Sequence, residues 1–168
     1  NEAQADVVTE RVVNQAALLA SARGHVFASD NPGPGDSNFS AQARALAAAV
    51  PAAEATMIEM ASDLAGAHQR LVSAWAGRPL TVTYVGHGGP DLWADEDLLS
   101  SDDASEIGAT AASPVVFGWT CRSQWFQYLF APALHEALME EPGGGALATV
   151  GATGISPPEV QALLAEIA

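Results

Sequence analysis

Lysine is absent from this chain, and all six basic residues are arginines. This absence excludes P-loop nucleotide binding, Schiff-base chemistry and a Ser-Lys dyad, because each of them requires a lysine amine. The 20 acidic residues give a formal net charge of −14. Such a charge argues against a nucleic-acid partner, since phosphate contacts require basic side chains. It is typical of a solvated acidic surface, and it could also steer a basic peptide substrate.

Cysteine is almost absent: Cys121 is the only one. A single cysteine cannot form an internal disulfide, so the cysteine content does not indicate the compartment in which the protein works. No apolar run is long enough to cross a bilayer. The chain starts at Asn1 without a signal peptide, and we therefore expect it to be a piece of a longer protein. Its 168 residues, 49% of them hydrophobic, suffice for one domain with a real core.

Apolar periodicity predicts an alternation of helices and strands. Strands are predicted at 25–30, 55–60, 80–85, 114–120 and 146–151. Helices are predicted at 5–23, 37–49 (starting at Ser37 or Ser40), 62–76, 131–140 and 158–167. The acidic stretch 91–106 is predicted to be loop and a short helix. The strands are short and continuously apolar, as in a parallel sheet that is buried on both faces, so we predict a three-layer α/β/α sandwich with a mostly parallel sheet.

Three side chains that could take part in catalysis follow predicted strands. Asp30, His87 and Cys121 each come at or just past a strand end. Parallel α/β folds place their sites beyond the carboxyl ends of strands. A thiol and an imidazole at adjacent strand ends can form a nucleophile and its proton carrier. This coincidence is the main argument from the residues for a functional site.

Each of these residues also has an ordinary structural interpretation. A lone cysteine is more often a small buried hydrophobe, but Cys121 precedes Arg122, and nearby positive charge favours a thiolate. Glycines flank His87 and permit a tight turn in which the Gly88 amide can face an oxyanion. Asp30 fits a cap or turn residue as well as it fits a catalytic role.

Other chemistries find less support in the sequence. His25, His68 and His135 are interpreted as structural or surface residues. Met139 stands where a zinc-protease motif would place its second histidine, and we expect no metal site. The stretch 91–106 lacks EF-hand glycine and spacing, so it favours a solvated face over a calcium loop. No Gly-x-Ser-x-Gly elbow accompanies the His-Gly-Gly-Pro segment, which excludes a serine hydrolase built from this chain alone.

An ordered set of segments resembles the gingipain-type cysteine peptidases, peptidase family C25, within the caspase-like group. Tyr-Val-Gly-His-Gly-Gly at 84–89 resembles the family's catalytic histidine segment, and Phe-Gly-Trp-Thr-Cys at 117–121 resembles its nucleophile strand. The helix at 134–139 and the strand at 145–153 also match. The resemblance runs from about residue 24 to about residue 156, and it implies a caspase-like fold.

The resemblance implies a role for each site residue. Cys121 would be the nucleophile, His87 the general acid/base and Asp30 the acid that orients the histidine. The amides of Gly88 and Cys121 would form the oxyanion hole. Two further residues would bind substrate: Asp36, which would read a basic P1 side chain, and Trp93.

We therefore predict one caspase-like domain over residues 1–168 that acts as a Cys/His endopeptidase on protein or peptide substrates. The resemblance further implies a preceding α/β subdomain of the same protein and favours an extracellular or cell-surface location. No cofactor is expected, although a structural calcium ion stays open. The alternatives are a non-catalytic structural or partner-binding module and a flavodoxin-like ligand-binding domain, which the missing phosphate-binding motif disfavours.

Overall fold

The computed structural model describes residues 2–165, and five parallel strands form its central sheet. The strands of this sheet are β1 (His25–Ser29), β2 (Ala55–Glu59), β3 (Thr81–Val85), β6 (Val115–Trp119) and β7 (Ala148–Gly151), and a separate hairpin comprises β4 (Leu92–Trp93) and β5 (Leu99–Ser100). The spatial order is β2-β1-β3-β6-β7. The crossovers between neighbouring parallel strands require helices, as the sequence pattern predicts.

Six helices accompany the strands in the described part of the chain. They are α1 (Glu2–Ser21), α2 (Phe39–Ala47), α3 (Ala67–Ala76), α4 (Ala104–Gly108), α5 (Leu134–Glu140) and α6 (Pro158–Ala165). Short 3₁₀ turns precede β2 and α4. No described helix is both long enough and apolar enough to span a membrane.

The helices cover both faces of the sheet and so produce two cores. The larger core lies on the side of α3, α4 and α5, and it contains Leu71, Trp75, Tyr84 and Leu138. The smaller core lies on the side of α2 and α6, around Phe39, Ala43, Val85 and Trp119. β1 and β3 are buried over four successive residues, which confirms the predicted three-layer α/β/α sandwich with strands buried on both faces.

α1 contacts the rest of the domain in part through one buried cation. Arg11 is the only buried residue of this helix. Its guanidinium donates to the backbone carbonyls of Leu138 (3.2 Å), Met139 (2.7 Å) and Ala146 (2.9 Å). It also donates to the carbonyls of Glu141 and Gly144. The five acceptors lie at the end of α5 and in the turn before β7, so Arg11 ties three elements together.

The predicted boundaries differ from the structure mainly at helix starts. The third helix begins at Ala67 rather than at 62, because the Asp63 carboxylate accepts a hydrogen bond from the Gly66 N–H (3.1 Å) and holds these residues in a turn. α5 begins at Leu134 rather than at 131, since Pro132 disfavours a helical conformation at the preceding residue. The β4–β5 hairpin within the acidic stretch was not predicted. Residues 166 and 167 of the last predicted helix lie outside the described residues.

Candidate active site

The sheet register places Asp30, His87 and Cys121 side by side. Val85 of β3 pairs with Ser29 of β1 on one side and with Trp119 of β6 on the other. His87 and Cys121 therefore each lie two residues beyond a paired position on adjacent strands, while Asp30 lies one residue beyond its own. The three residues lie at the carboxyl edge of the sheet, where parallel α/β proteins place their sites.

The backbone of His87 is fixed by its neighbours. Its N–H donates to the Asp30 carboxylate (2.8 Å), and its carbonyl accepts from the Tyr84 hydroxyl (2.7 Å) and the Ala94 N–H (3.0 Å). The imidazole is about half exposed, and it meets the edge of the Phe39 ring at a centroid distance of 5.0 Å. These contacts hold the backbone of the turn while leaving the ring accessible from solvent.

The acid that contacts the His87 ring is Asp36. Asp36 Oδ2 lies 3.1 Å from His87 Nε2 and also accepts the Gly33 N–H (2.7 Å). The hydrogen bond with His87, followed by the one from Gly33, lowers the pKa of the Asp36 carboxyl below its ordinary value. A carboxylate that receives Nε2–H leaves Nδ1 as the ring nitrogen that is free to exchange a proton.

Asp30 acts on the histidine turn through the backbone. Its carboxylate is fully buried and accepts the N–H groups of Asn31 (2.6 Å) and His87 (2.8 Å). Burial raises the pKa of Asp30, and the two backbone hydrogen bonds oppose that rise. From the sequence, Asp30 was expected to orient the ring and Asp36 to bind substrate. In the structure, Asp36 contacts the ring and Asp30 contacts the backbone.

The Cys121 thiol lies against the segment that follows β7. Its Sγ is 3.5 Å from the Ser156 N–H nitrogen and 3.6 Å from the Ser156 carbonyl oxygen. Within residues 2–165 no hydrogen bond joins this thiol to His87. Such contacts are often long before substrate binds. The next residue, Arg122, adopts a left-handed conformation with φ of 58°, which makes the nucleophile turn sharp.

The two amides predicted to bind an oxyanion are uncommitted. Neither the Gly88 N–H nor the Cys121 N–H donates to another described residue. The two segments that carry these amides are close together, because a Cβ added at Gly88 would lie 2.4 Å from Thr120 Oγ1. Two free amides on neighbouring segments meet one requirement of an oxyanion site.

Trp93 is part of the larger core. It is fully buried and stacks on Tyr84 at a centroid distance of 4.8 Å. A substrate cannot reach this side chain without displacing core residues, so we leave it out of the substrate site proposed below. The substrate-binding role expected of Trp93 came from the family resemblance alone, and the sequence does not distinguish a pocket tryptophan from a core one.

An acidic cavity of about 240 Å³ opens beside the imidazole. Its lining includes Asp36, His87, Asp95 and Glu96. From the sequence, Asp95 and Glu96 were expected to belong to a solvated acidic face and were not connected with the site. Only the hairpin β4–β5, whose connection carries both residues, brings them to the edge of the sheet.

One described group of side chains has the composition of a metal site. His68, Asp103 and Glu106 offer ligand atoms that lie within 4.8 Å of one another. His68 Nε2 is 3.3 Å from Glu106 Oε2, and its Nδ1 is 3.0 Å from the Leu98 carbonyl oxygen. Burial alone would lower the pKa of His68, but the hydrogen bonds with Leu98 and Glu106 and the charges of Asp103 and Glu106 together raise it. An ion pair between an imidazolium and Glu106 accounts for this arrangement without a metal.

Solved structures show which class of protein has this fold. The crystal structure of the Arg-specific cysteine proteinase gingipain R (RGPB) superposes with a TM-score of 0.73 at 17% identity, over 100% of this chain and 43% of that chain. The complex of Porphyromonas gingivalis RgpB pro- and mature domains gives 0.68 at 17% identity, over 90% and 38%. A structure described as "Structure of Protease" gives 0.70 at 15% identity, over 94% and 35%. The domain therefore has the fold of gingipain-type cysteine peptidases.

The family itself follows from the sequence. The model of peptidase family C25 matches residues 1–167. This chain belongs to peptidase family C25, a family of cysteine peptidases, and the predicted resemblance is confirmed. No curated protein sequence matches the chain. The chain spans less than half the length of the solved chains with which it superposes.

Proposed function

We propose that this domain carries the Cys/His site of a cysteine endopeptidase, with Cys121 as nucleophile and His87 as general acid/base. The observation that supports this most strongly is the equivalent placement of the two residues on adjacent strands, beside two uncommitted amides. Residues 1–168 would form a single domain within a longer protein, in keeping with the fraction of the gingipain chain that it covers.

The reaction begins with attack by the Cys121 thiolate on a peptide carbonyl carbon. A C–S bond forms, and the carbonyl π electrons move to oxygen, where the amides of Gly88 and Cys121 stabilise the negative charge. The imidazolium of His87 then gives its proton to the leaving nitrogen, and the C–N bond breaks. In deacylation, His87 takes a proton from water, the resulting hydroxide attacks the thioester, and the thiolate leaves.

Asp36 would keep His87 in the productive tautomer. Because its carboxylate accepts from Nε2–H, the proton that moves is the one on Nδ1. Asp30 would hold the turn itself, since it accepts the backbone N–H of the same histidine. The two acids would thus divide the supporting role that was expected of Asp30 alone.

A basic P1 side chain is the substrate feature that the site favours. Asp95 and Glu96 give the cavity next to His87 a negative lining, together with Asp36. A guanidinium or ammonium group would be attracted there and could form charge-assisted hydrogen bonds. The Arg specificity of gingipain R belongs to that protein, and for this chain we extend our proposal to basic residues in general.

Covalent labelling tests the proposal. Wild-type protein, Cys121→Ala and His87→Ala would be treated with peptidyl acyloxymethyl ketones that carry Arg, Lys, Ala or Glu at P1, with intact mass as the readout. We expect one adduct on wild type only, fastest with Arg or Lys. His25→Ala, which changes a histidine at the start of a neighbouring strand, serves as the matched control. Labelling of Cys121→Ala, or labelling of His87→Ala at the wild-type rate, would contradict the assignment.

A non-catalytic module is the second candidate function. It is favoured by the absence of a hydrogen bond between Cys121 and His87 in the described residues, and by the share of the gingipain chain that lies outside the match. In this case the strand-end surface would bind a partner or a second α/β half. Folded wild-type protein that forms no adduct, either as residues 1–168 or within a longer stretch of the full protein, would favour this function.

A further inference from the structure

A group of fully buried polar side chains lies beneath the nucleophile turn, residues 120–124. Trp93, Thr120 and Ser123 are 0% exposed and His135 is 1% exposed. We call these four residues the buried polar cluster. None of the steps proposed above uses His135 or Ser123, and the sequence favoured a structural or surface role for His135.

The His135 ring fills a notch in the sheet. A Cβ added at Gly118 would lie 2.7 Å from His135 Cε1 and Nε2, and one at Gly151 would lie 2.6 Å from Ser123 Oγ and 2.9 Å from His135 Cε1. The ring also meets Trp93 edge to face at a centroid distance of 5.9 Å. The imidazole and the Ser123 hydroxyl therefore share one space over the ends of β6 and β7.

Five polar atoms of the cluster have no hydrogen-bond partner among the described residues: Trp93 Nε1, Thr120 Oγ1, Ser123 Oγ, and His135 Nδ1 and Nε2. A buried polar group without a partner loses its hydration and gains nothing in return, which destabilises the fold. Five such groups together would destabilise the fold substantially. Buried water commonly resolves it, because one ordered molecule can serve about three polar groups.

The backbone conformation of the nucleophile turn depends on the residues packed around it. Arg122 has φ of 58°, a conformation that is unfavourable for a residue with a side chain and persists only where the surroundings enforce it. On one side, Arg122 N–H donates to the Gly154 carbonyl (3.0 Å) and Gln124 N–H donates to the Ala152 carbonyl (3.1 Å). On the other side, His135 N–H donates to the Ser123 carbonyl (3.1 Å).

We propose that His135 is a positioning residue for the nucleophile turn, and that its neutral imidazole is joined through ordered water to the hydroxyls of Ser123 and Thr120. The bridged cluster holds the Cys121 backbone so that the thiol and the amide N–H both face the substrate side. His135 is buried and touches neither substrate nor the thiol. The inference rests on the proposed function for its meaning, but the geometry of the turn is measurable without turnover.

The test replaces His135 by Phe, which keeps a ring of similar shape and the edge contact with Trp93 but removes both nitrogens. Ser123→Ala removes one hydroxyl from the same space, and it serves as the second variant in case His135→Phe does not fold. The matched control is His25→Phe, where a half-buried histidine at the start of β1 is changed in the same way. Circular dichroism would confirm the fold of each protein.

The main readout is the rate of alkylation of Cys121 by iodoacetamide from about pH 5 to about pH 9, which reports thiolate formation and access. We expect the rate–pH profile of His135→Phe and Ser123→Ala to shift or to fall about tenfold, with the control unchanged. If His135 and Ser123 were purely structural, replacing them would lower the melting temperature and leave the rate–pH profile of the folded protein unchanged. A profile within about twofold of wild type in both variants overturns the inference.

Two further results keep this inference separate from the proposed function. If wild type resists every peptidyl ketone, the peptidase function fails, while the iodoacetamide comparison still decides the role of His135. If the ketones do react, we expect the variants to lose labelling rate at saturation while the half-saturating concentration stays within about twofold. A crystal structure with water bridging His135 and Ser123 supports the proposal, and a dry cluster there overturns it.

Discussion

Asp36 and His87 are joined side chain to side chain at 3.1 Å, although Asp36 lies in an exposed loop rather than at a strand end. The strand-end acid, Asp30, contacts the same histidine only through its backbone N–H. Replacing each acid should therefore have a different consequence. Loss of Asp36 should affect the chemistry of the imidazole, whereas loss of Asp30 should affect the stability of the turn.

Asp36→Asn should lower the rate of Cys121 labelling by peptidyl ketones about tenfold, because the amide cannot hold the Nε2–H tautomer as a carboxylate does. The hydrogen bond from His87 holds the pKa of Asp36 below 3.8, so the carboxylate is ionised throughout the working range and the deficit should persist at neutral and mildly acid pH. Labelling rates against pH measure this. Asp102→Asn, an exposed change of the same charge, is the control, and equal rates in the two variants would contradict the prediction.

Gly88→Ala should abolish or strongly reduce labelling, by about a hundredfold, the usual cost of losing one oxyanion donor. The added Cβ would lie 2.4 Å from Thr120 Oγ1 and 3.0 Å from the Leu92 carbonyl oxygen, so the Thr120 side chain or the histidine turn must shift. The neighbouring glycine offers a matched control, since a Cβ at Gly89 would find its nearest atoms at 3.6 and 3.7 Å. If Gly88→Ala and Gly89→Ala label equally fast, Gly88 is not part of the oxyanion site.

His135 should make the domain acid-sensitive. Burial lowers its pKa from 6.5 to about 3, so between these values the unfolded chain binds a proton that the folded chain does not. The free energy of unfolding should therefore fall as pH drops below 6.5, by on the order of 1.4 kcal/mol per pH unit from this residue. Asp30 acts in the opposite sense, because burial raises its folded-state pKa.

Urea unfolding of wild type and His135→Phe between about pH 4 and pH 7 isolates the histidine, because every other group is common to both proteins. The stability difference should shift in favour of the variant as the solution becomes more acid. A difference that does not change with pH would show that His135 carries the same charge in the folded and unfolded states.

Arg11→Met should lower the free energy of unfolding by about 2–4 kcal/mol, because five backbone carbonyls each lose a hydrogen bond and, among the described residues, only that of Leu138 keeps another donor, the Ala146 N–H. Part of the loss is offset, since burial already disfavours the guanidinium charge and lowers the pKa of Arg11. Urea unfolding measures the change. Arg44→Met, at a side chain 64% exposed, should cost at most about 1 kcal/mol. Similar losses in the two variants would mean that Arg11 contributes little more than a surface arginine.

The strands and their order along the chain could be predicted because short, continuously apolar segments leave few alternatives to buried strands. β1, β3 and β6 lie within one residue of the predicted bounds at each end, and their burial on both faces follows from the same pattern. The placement of His87 and Cys121 at one edge of the sheet also follows from parallel pairing. These features follow from the local sequence, so they can be predicted from a single chain.

The supporting contacts of the site could not be predicted in this way. The contact of Asp36 with His87 depends on the path of the loop at residues 31–38. The position of Asp95 and Glu96 beside the imidazole depends on a hairpin whose strands have two residues each. Such short strands carry no usable alternation. The burial of His135 depends on two glycines far from it in sequence. In each case the contact is made in three dimensions between segments that have no local pattern in common.

Gly118 and Gly151 are paired residues of neighbouring strands, and the imidazole of His135 occupies the space above both. The residue at each of the three positions therefore limits which residues fit at the other two. A methyl group at either glycine would collide with the ring, and a smaller residue at 135 would leave a void that a larger residue in the sheet could fill. In homologues we expect these positions to covary, with glycine kept in both strands wherever residue 135 is aromatic.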